Sequence, residues 1–211
     1  MRKDLVNVTV PLRDGPERLA IAVARSQGIA RTRDFVTAGI ARTCLRRMCD
    51  RGLLVRTARG LYQLPDAELS AAHSLAETAR VVPGGTVCLL SALQFHELTT
   101  QLPRAVWMLI GSKAWTPRNP PVPLEIVRSR GEALTAGVAR HVIECVSVPI
   151  TVPAKTVADC FKYRNRVGLD VAIEALRDCL RHKRATVDEL WHFASACRVR
   201  NVMRPYIEAM V

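Results

Sequence analysis

The sequence predicts an α+β protein: helices and a small hairpin in a strongly basic N-terminal third, then a larger mixed α/β part with a small sheet and C-terminal helices. Three observations carry this expectation. Apolar residues recur at helical spacing as far as Met48, then give way to two short strand-like runs around Gly60. Strand signals return between Ala105 and Val152, and helical periodicity resumes from Pro153. Charge is unequally divided: residues 1–65 hold 13 Lys+Arg and 5 Asp+Glu, whereas residues 66–211 hold 18 and 14.

Residues 1–14 are mixed and read as extended. A helix begins at Gly15-Pro16-Glu17, with proline at an early helical position and an acid in the first turn. Leu19, Ala20, Val23 and Ala24 give it a buried stripe, and it ends near Gln27-Gly28. Thr32 is the expected N-cap of a second short helix over Arg33–Ala38. Gly39 turns the chain into a third helix. There Ile40, Ala41, Cys44, Leu45 and Met48 share one face, and Arg42, Thr43, Arg46, Arg47, Asp50 and Arg51 share the other. Gly52 stops it, as glycine commonly does at a helix C-terminus. Leu53–Thr57 reads as a strand, Ala58-Arg59-Gly60 as a tight turn and Leu61–Leu64 as a second strand. Helix, helix, turn, helix, hairpin is the order of a winged helix-turn-helix, here expected to occupy residues 1–66.

Residues 67–211 form the expected second domain. Residues 67–80 have helical spacing, with Leu69, Ala72, Leu75, Ala76 and Ala79 on one side, and Pro83-Gly84-Gly85 breaks the helix. Thr86–Leu98 reads as a short buried helix. Strands are expected over Ala105–Ile110, Leu124–Arg128, His141–Val146 and Ser147–Val152, with a proline-rich surface loop over Gly111–Pro123. Helices follow from Pro153 through Phe161, over Leu169–His182, after the capping box Thr186-Val-Asp-Glu189, and from Val202. No internal repeat or low-complexity segment interrupts the pattern.

With 211 residues, 49% hydrophobic and 24% charged, the chain can bury a sizeable core. Its net charge of +12 points to a polyanionic partner. Of the 13 cations in residues 1–65, 12 are arginine, whose planar fork suits phosphate and guanine better than a lysine point charge does. A solvated helix face usually mixes signs to gain i, i+4 pairs. The polar face of the third helix instead carries four arginines against one acid. Aromatic residues are only 5% of the chain, too few for a base-stacking path along single strands, so duplex DNA is the expected partner. Arg42, Thr43, Arg46 and Arg47 are placed in the major groove. Arg51, Arg56 and Arg59 are placed at phosphates or the adjacent minor groove, and Arg31 and Thr32 at the backbone.

Seven cysteines without C-x-x-C spacing, and five histidines not beside them at zinc-ligand spacing, read as reduced, mostly buried thiols of a cytoplasmic protein. No metal site and no cofactor are expected. The N-terminus does not read as a signal peptide, and no apolar run approaches the length of a membrane span. Phosphate-binding, nucleophile-elbow and metalloprotease motifs are missing from the sequence. The nearest acid–lysine spacing, Asp159-Cys-Phe-Lys162, reads as an i, i+3 salt bridge on a helix. An enzyme is not expected.

Several segments then fall into a recognisable order. Arg59-Gly60-Leu61-Tyr62-Gln63-Leu64 closes the hairpin, and Ser91-Ala-Leu-Gln-Phe-His96-Glu-Leu98 lies near the start of the second domain. Gln101-Leu102-Pro103 leads into a strand. Pro153-Ala-Lys155-Thr156-Val-Ala-Asp159-Cys160 and Glu174-Ala-Leu-Arg177 follow. Over nearly the whole chain this resembles the AbiEi antitoxins of bacterial type IV toxin–antitoxin (abortive infection) systems, which are also transcriptional regulators. The resemblance implies a DNA-binding repressor of its own operon, acting on an operator of inverted repeats. It also implies a nucleotidyltransferase-like toxin as functional partner, neutralised through the second domain. It does not imply a stable complex, a particular oligomeric state or a membrane role. Lys162, Arg166, Arg177 and Arg181, on the polar faces of the C-terminal helices, are the residues it suggests for neutralisation. The alternative is a standalone winged-helix regulator whose second domain senses a ligand or protein partner.

Overall fold

The computed structural model describes residues 15–211. The extended stretch expected over residues 1–14 lies outside them. The described chain is α+β and divides into two compact units. One runs to Leu69 and includes Glu144–Val146; the other comprises Ser70–Ile143 and Ser147–Val211.

The first unit contains α1 (Pro16–Gln27), β1 (Ala30–Arg31), α2 (Thr32–Thr37), α3 (Arg42–Asp50), β2 (Val55–Ala58) and β3 (Leu61–Gln63). Small residues on α1, Ala20 and Ala24, leave room for Phe35, Ile40, Leu45, Met48 and Leu54 in one core. Of the expected α1 stripe, Leu19 is exposed and Val23 only half-buried. Phe35 meets Tyr62 of β3 edge to face, with ring centroids 5.7 Å apart. Gly52, at φ +70°, adopts the left-handed turn that releases the chain from α3. The N–H groups of Gly52 and Leu53 bond back to the carbonyls of Cys49 and Met48. The strands form an antiparallel sheet in the order β1-β3-β2, irregular between Arg56 and Ala58. This is a winged helix-turn-helix.

Three expectations change in this unit. Thr32 is the first residue of α2, not its cap; Arg31 stands at the N-cap, and its N–H is held by the Asp34 carboxylate at 2.7 Å. Ala41 precedes α3 as its N-cap and is exposed, so it does not join the buried stripe. The first wing strand starts at Val55, because Leu54 turns into the core.

The second unit contains α4 (His73–Val81), β4 (Thr86–Val87), α5 (Leu89–Phe95), β5 (Val106–Gly111), β6 (Leu124–Ser129), α6 (Glu132–Thr135) and β7 (Val138–Ile143). β8 (Val146–Thr151), α7 (Pro153–Lys162), α8 (Arg164–Val167), α9 (Leu169–Arg181), α10 (Val187–Ala196) and α11 (Arg200–Met210) follow. The sheet order is β6-β5-β4-β8-β7; β4 runs antiparallel to β5 and parallel to β8, and β5 runs parallel to β6. Leu93, Val157, Phe161, Leu176, Leu190 and Met203 pack with Trp107 and Leu109 of β5 in one core. Thr186 and Glu189 make the expected reciprocal cap of α10. The helix expected over Thr86–Leu98 opens instead with the two strand residues of β4. The turn between the last two strands falls at Glu144-Cys145, both with left-handed φ, rather than after Val146. The Asp159–Lys162 pair is replaced by Asp159–Lys155, one turn earlier in α7 and buried, because this side of the helix faces the core.

Candidate nucleic-acid interface

The apolar side of α3 fixes what its other side presents. With Cys44, Leu45 and Met48 buried, the helical period leaves Arg42, Thr43, Arg46 and Arg47 all exposed. Among the described residues, Arg42, Arg46, Arg47 and Arg59 enter no ion pair and no side-chain hydrogen bond. Four guanidinium groups therefore remain available to an external anion. Arg59 is exposed at the wing turn, directly before Gly60. Arg56 is exposed on β2, and its Nε donates to the Ala58 carbonyl at 3.2 Å across the irregularity.

The wing is tied down. The backbone N–H and the hydroxyl of Thr32 both donate to the Gly60 carbonyl, at 2.9 and 3.3 Å. Thr32 thus fastens the start of α2 to the wing tip, with Arg31 half-buried beside it. The guanidinium of Arg51, a residue expected at phosphates or the minor groove, forms an ion pair with the largely buried Glu17, joining the end of α3 to α1. The most accessible cations of the interface are Arg42, Arg46, Arg47, Arg56 and Arg59.

The four cations assigned to neutralisation do not form one basic face. β6 is an edge strand of the five-stranded sheet. Along it, Arg166 donates to the Ile126 carbonyl at 2.9 Å and to the Glu125 carboxylate at 2.7 Å. Its guanidinium lies over the Trp107 ring, 5.1 Å from the centroid. Tyr163 donates to the Arg128 carbonyl at 3.0 Å, and Lys162 to the Ser129 hydroxyl at 3.2 Å. Lys162 and Arg166 are thereby engaged in covering the sheet edge, which natural sheets protect against pairing with other chains. Arg177 and Arg181 are exposed on α9, but they share a shallow surface with Asp170, Glu174 and Asp178. Arg181 pairs with Asp178 at 3.0 Å. That face is mixed in sign.

Sequence reading missed the charged centre of the second unit. Lys155 and Asp159 are essentially inaccessible to water and are joined ammonium to carboxylate. The second carboxylate oxygen accepts from the Cys197 thiol at 3.4 Å. Burial raises the Asp159 carboxyl above its ordinary value, against the pull of the Lys155 ammonium. Burial also pushes up the thiols of Cys88 and Cys160, and that of Cys197 to about 12, so these sulfurs stay protonated. The i, i+4 spacing of Lys155 and Asp159 was the available signal. Among the described residues, no helix is long and apolar enough to cross a membrane.

Three helices closed by a three-stranded sheet, with an arginine-bearing third helix beside an anchored hairpin, define a winged-helix domain. Residues 17–65 match the family described as "Transcriptional regulator, AbiEi antitoxin". No curated protein matches the chain. Among solved structures, the chain is similar to the RV2827C protein from Mycobacterium tuberculosis. The TM-score is 0.59 at 14% identity, covering 91% of this chain and 77% of that one. That likeness is one of fold.

Proposed function

We propose that the chain binds duplex DNA through α3 and the wing, represses the operon that encodes it, and acts as the antitoxin of a type IV toxin–antitoxin system. In this division of labour the winged helix, over residues 1–66, reads the operator, and residues 67–211 neutralise the toxin. The observation that carries the DNA-binding reading is the set of unpaired guanidinium groups of Arg42, Arg46, Arg47 and Arg59 on a rigid scaffold. Arginines held this way neutralise phosphates and place forked donors at guanine edges. Of the cations suggested for neutralisation, Arg177 is exposed without an ion pair among the described residues.

Footprinting of the full chain on the DNA upstream of its own gene tests the regulator. A protected site at the promoter, lost with Arg42→Ala plus Arg46→Ala, is expected; uniform binding without a footprint would overturn operator recognition. Growth rescue of cells expressing the adjacent toxin from a foreign promoter tests the antitoxin.

One feature favours the second reading, a regulator that senses a small molecule. A cleft of about 420 Å³ in the second unit is lined by Leu75, Ser91, Gln94, Phe95, Pro103 and Val122, among others. Its size lies within the range of ligand pockets. Release of operator DNA by a small molecule, with no toxin gene adjacent, would favour that reading.

A further inference from the structure

The walls of the 420 Å³ cleft in the second unit are set by hydrogen bonds within the fold. The Val106 N–H donates to the Pro123 carbonyl at 2.9 Å, which fixes the start of β5 beside the chain entering β6. Behind them lies Ser91 of α5. Its hydroxyl accepts from the Trp107 N–H at 3.0 Å and donates to the Ala105 carbonyl at 3.5 Å. Pro103 and Pro123 stiffen the two segments, because each fixes its own φ. A pocket built this way exists before its ligand arrives, which lowers the ordering cost of binding.

Most of the lining is apolar. Leu75 and Val106 are buried there, and Phe95 and Val122 are half-buried. An apolar body seated on these side chains would take their remaining surface out of water.

The polar lining selects the charge of the occupant. Ser91 is already engaged by β5 on both sides. Glu97, the one acid in the lining, pairs with Arg184 at 2.9 Å. Arg104 is exposed, with no ion pair and no side-chain hydrogen bond among the described residues, and the Gln94 amide is likewise unengaged. A cation would meet Arg104 and find no free acid. A doubly charged phosphate ester would find no second cation in the lining. A carboxylate matches a single guanidinium, which it can meet through two parallel N–H···O bonds.

We propose that the cleft binds a small apolar monocarboxylate, its ring or chain against Leu75, Phe95 and Val122 and its carboxylate on Arg104 beside Gln94. This rests on the reading of the chain as a regulator that senses a small molecule, and names the chemistry of what is sensed.

The full chain is titrated with naphthoate and with its uncharged analogue naphthamide, binding is followed by ligand-detected NMR, and operator affinity is measured with and without naphthoate. Naphthoate should bind with a dissociation constant of about 1 mM or lower, and the amide at least about tenfold more weakly. Arg104→Ala should weaken naphthoate about tenfold and leave the amide unchanged. Ala71→Trp, at an exposed position in the lining, should fill the cleft and abolish binding of both, with the thermal midpoint unchanged. Equal affinity for acid and amide overturns the proposal, as does naphthoate binding that survives both substitutions, or no binding at all. Binding that both substitutions weaken, with operator affinity unaffected by naphthoate, supports the carboxylate site and removes the sensing reading. Operator release by naphthoate that persists in Ala71→Trp puts the responsive site elsewhere and overturns the proposal while the sensing reading stands.

Discussion

Lys155 and Asp159 face each other one turn apart in α7, ammonium to carboxylate, and neither side chain reaches water. Replacing one partner leaves the other charge stranded in the core, whereas replacing both by apolar residues does not. Lys155→Met should therefore destabilise the fold by about 3–5 kcal/mol, and Lys155→Met with Asp159→Leu by clearly less. Denaturant titrations of the three proteins check this ordering. A double variant as weak as the single one would mean that the pair is not the unit of stability.

The same pair sets a pH dependence. A carboxyl whose folded pKa is raised, as burial raises Asp159, favours the folded state while it is protonated. That contribution is full below the unfolded pKa and is lost as pH rises through the folded one. Lys155→Met removes the opposing charge and shifts the folded value further up. Its deficit should then be larger near pH 8 than near pH 5, where part of Asp159 can hold a proton. Equal deficits at the two pH values would contradict this assignment.

Arg46 lies in the middle of the exposed face of α3, and Arg59 at the wing turn. Arg46→Ala should cost about 1–3 kcal/mol on the operator and relax specificity there, while Arg59→Ala weakens all sequences more evenly. Competition between operator and random duplex separates the two. If Arg46→Ala loses equally on both, it touches backbone rather than base.

Salt should act steeply. If about six phosphates are neutralised, log affinity against log salt should have a slope near −5. Affinity that is flat in salt would remove the electrostatic basis of the interface.

Gly60 combines a φ of +78° with a hypothetical Cβ only 3.2 Å from the Thr32 hydroxyl. Gly60→Ala should cost about 1–2 kcal/mol and loosen the wing, lowering DNA affinity without changing α3. Thermal midpoint and operator affinity should fall together; an unchanged midpoint would show that the turn relaxes freely.

The elements governed by local rules were legible in the sequence. The α3 stripe of Cys44, Leu45 and Met48 needs only the helical period, and Thr186 with Glu189 only the capping box. Elements set by distant partners were not. β1 is two residues that exist as a strand because Leu61 and Tyr62 pair with them. Glu144-Cys145 turns the chain without the glycine or asparagine that advertises such a turn. Arg166 and Arg51 look like free cations on a helical wheel; Glu125, Trp107 and Glu17 engage them from elsewhere in the chain. Spacing shows which way a guanidinium points, but not what waits there.

The two-residue strand β4 carries a consequence for synthesis. Val87 pairs with Met108 on one side and with Ile150 on the other, so it joins the two halves of the five-stranded sheet. During translation, residues 86–129 can form β4, β5 and β6, but the sheet cannot close until the ribosome has released the chain beyond Ile150. The strand pairings of the winged helix all lie between Ala30 and Gln63. Local pairings form quickly and distant ones late. The winged helix can therefore be in place while the five-stranded sheet still waits on the ribosome for its last two strands.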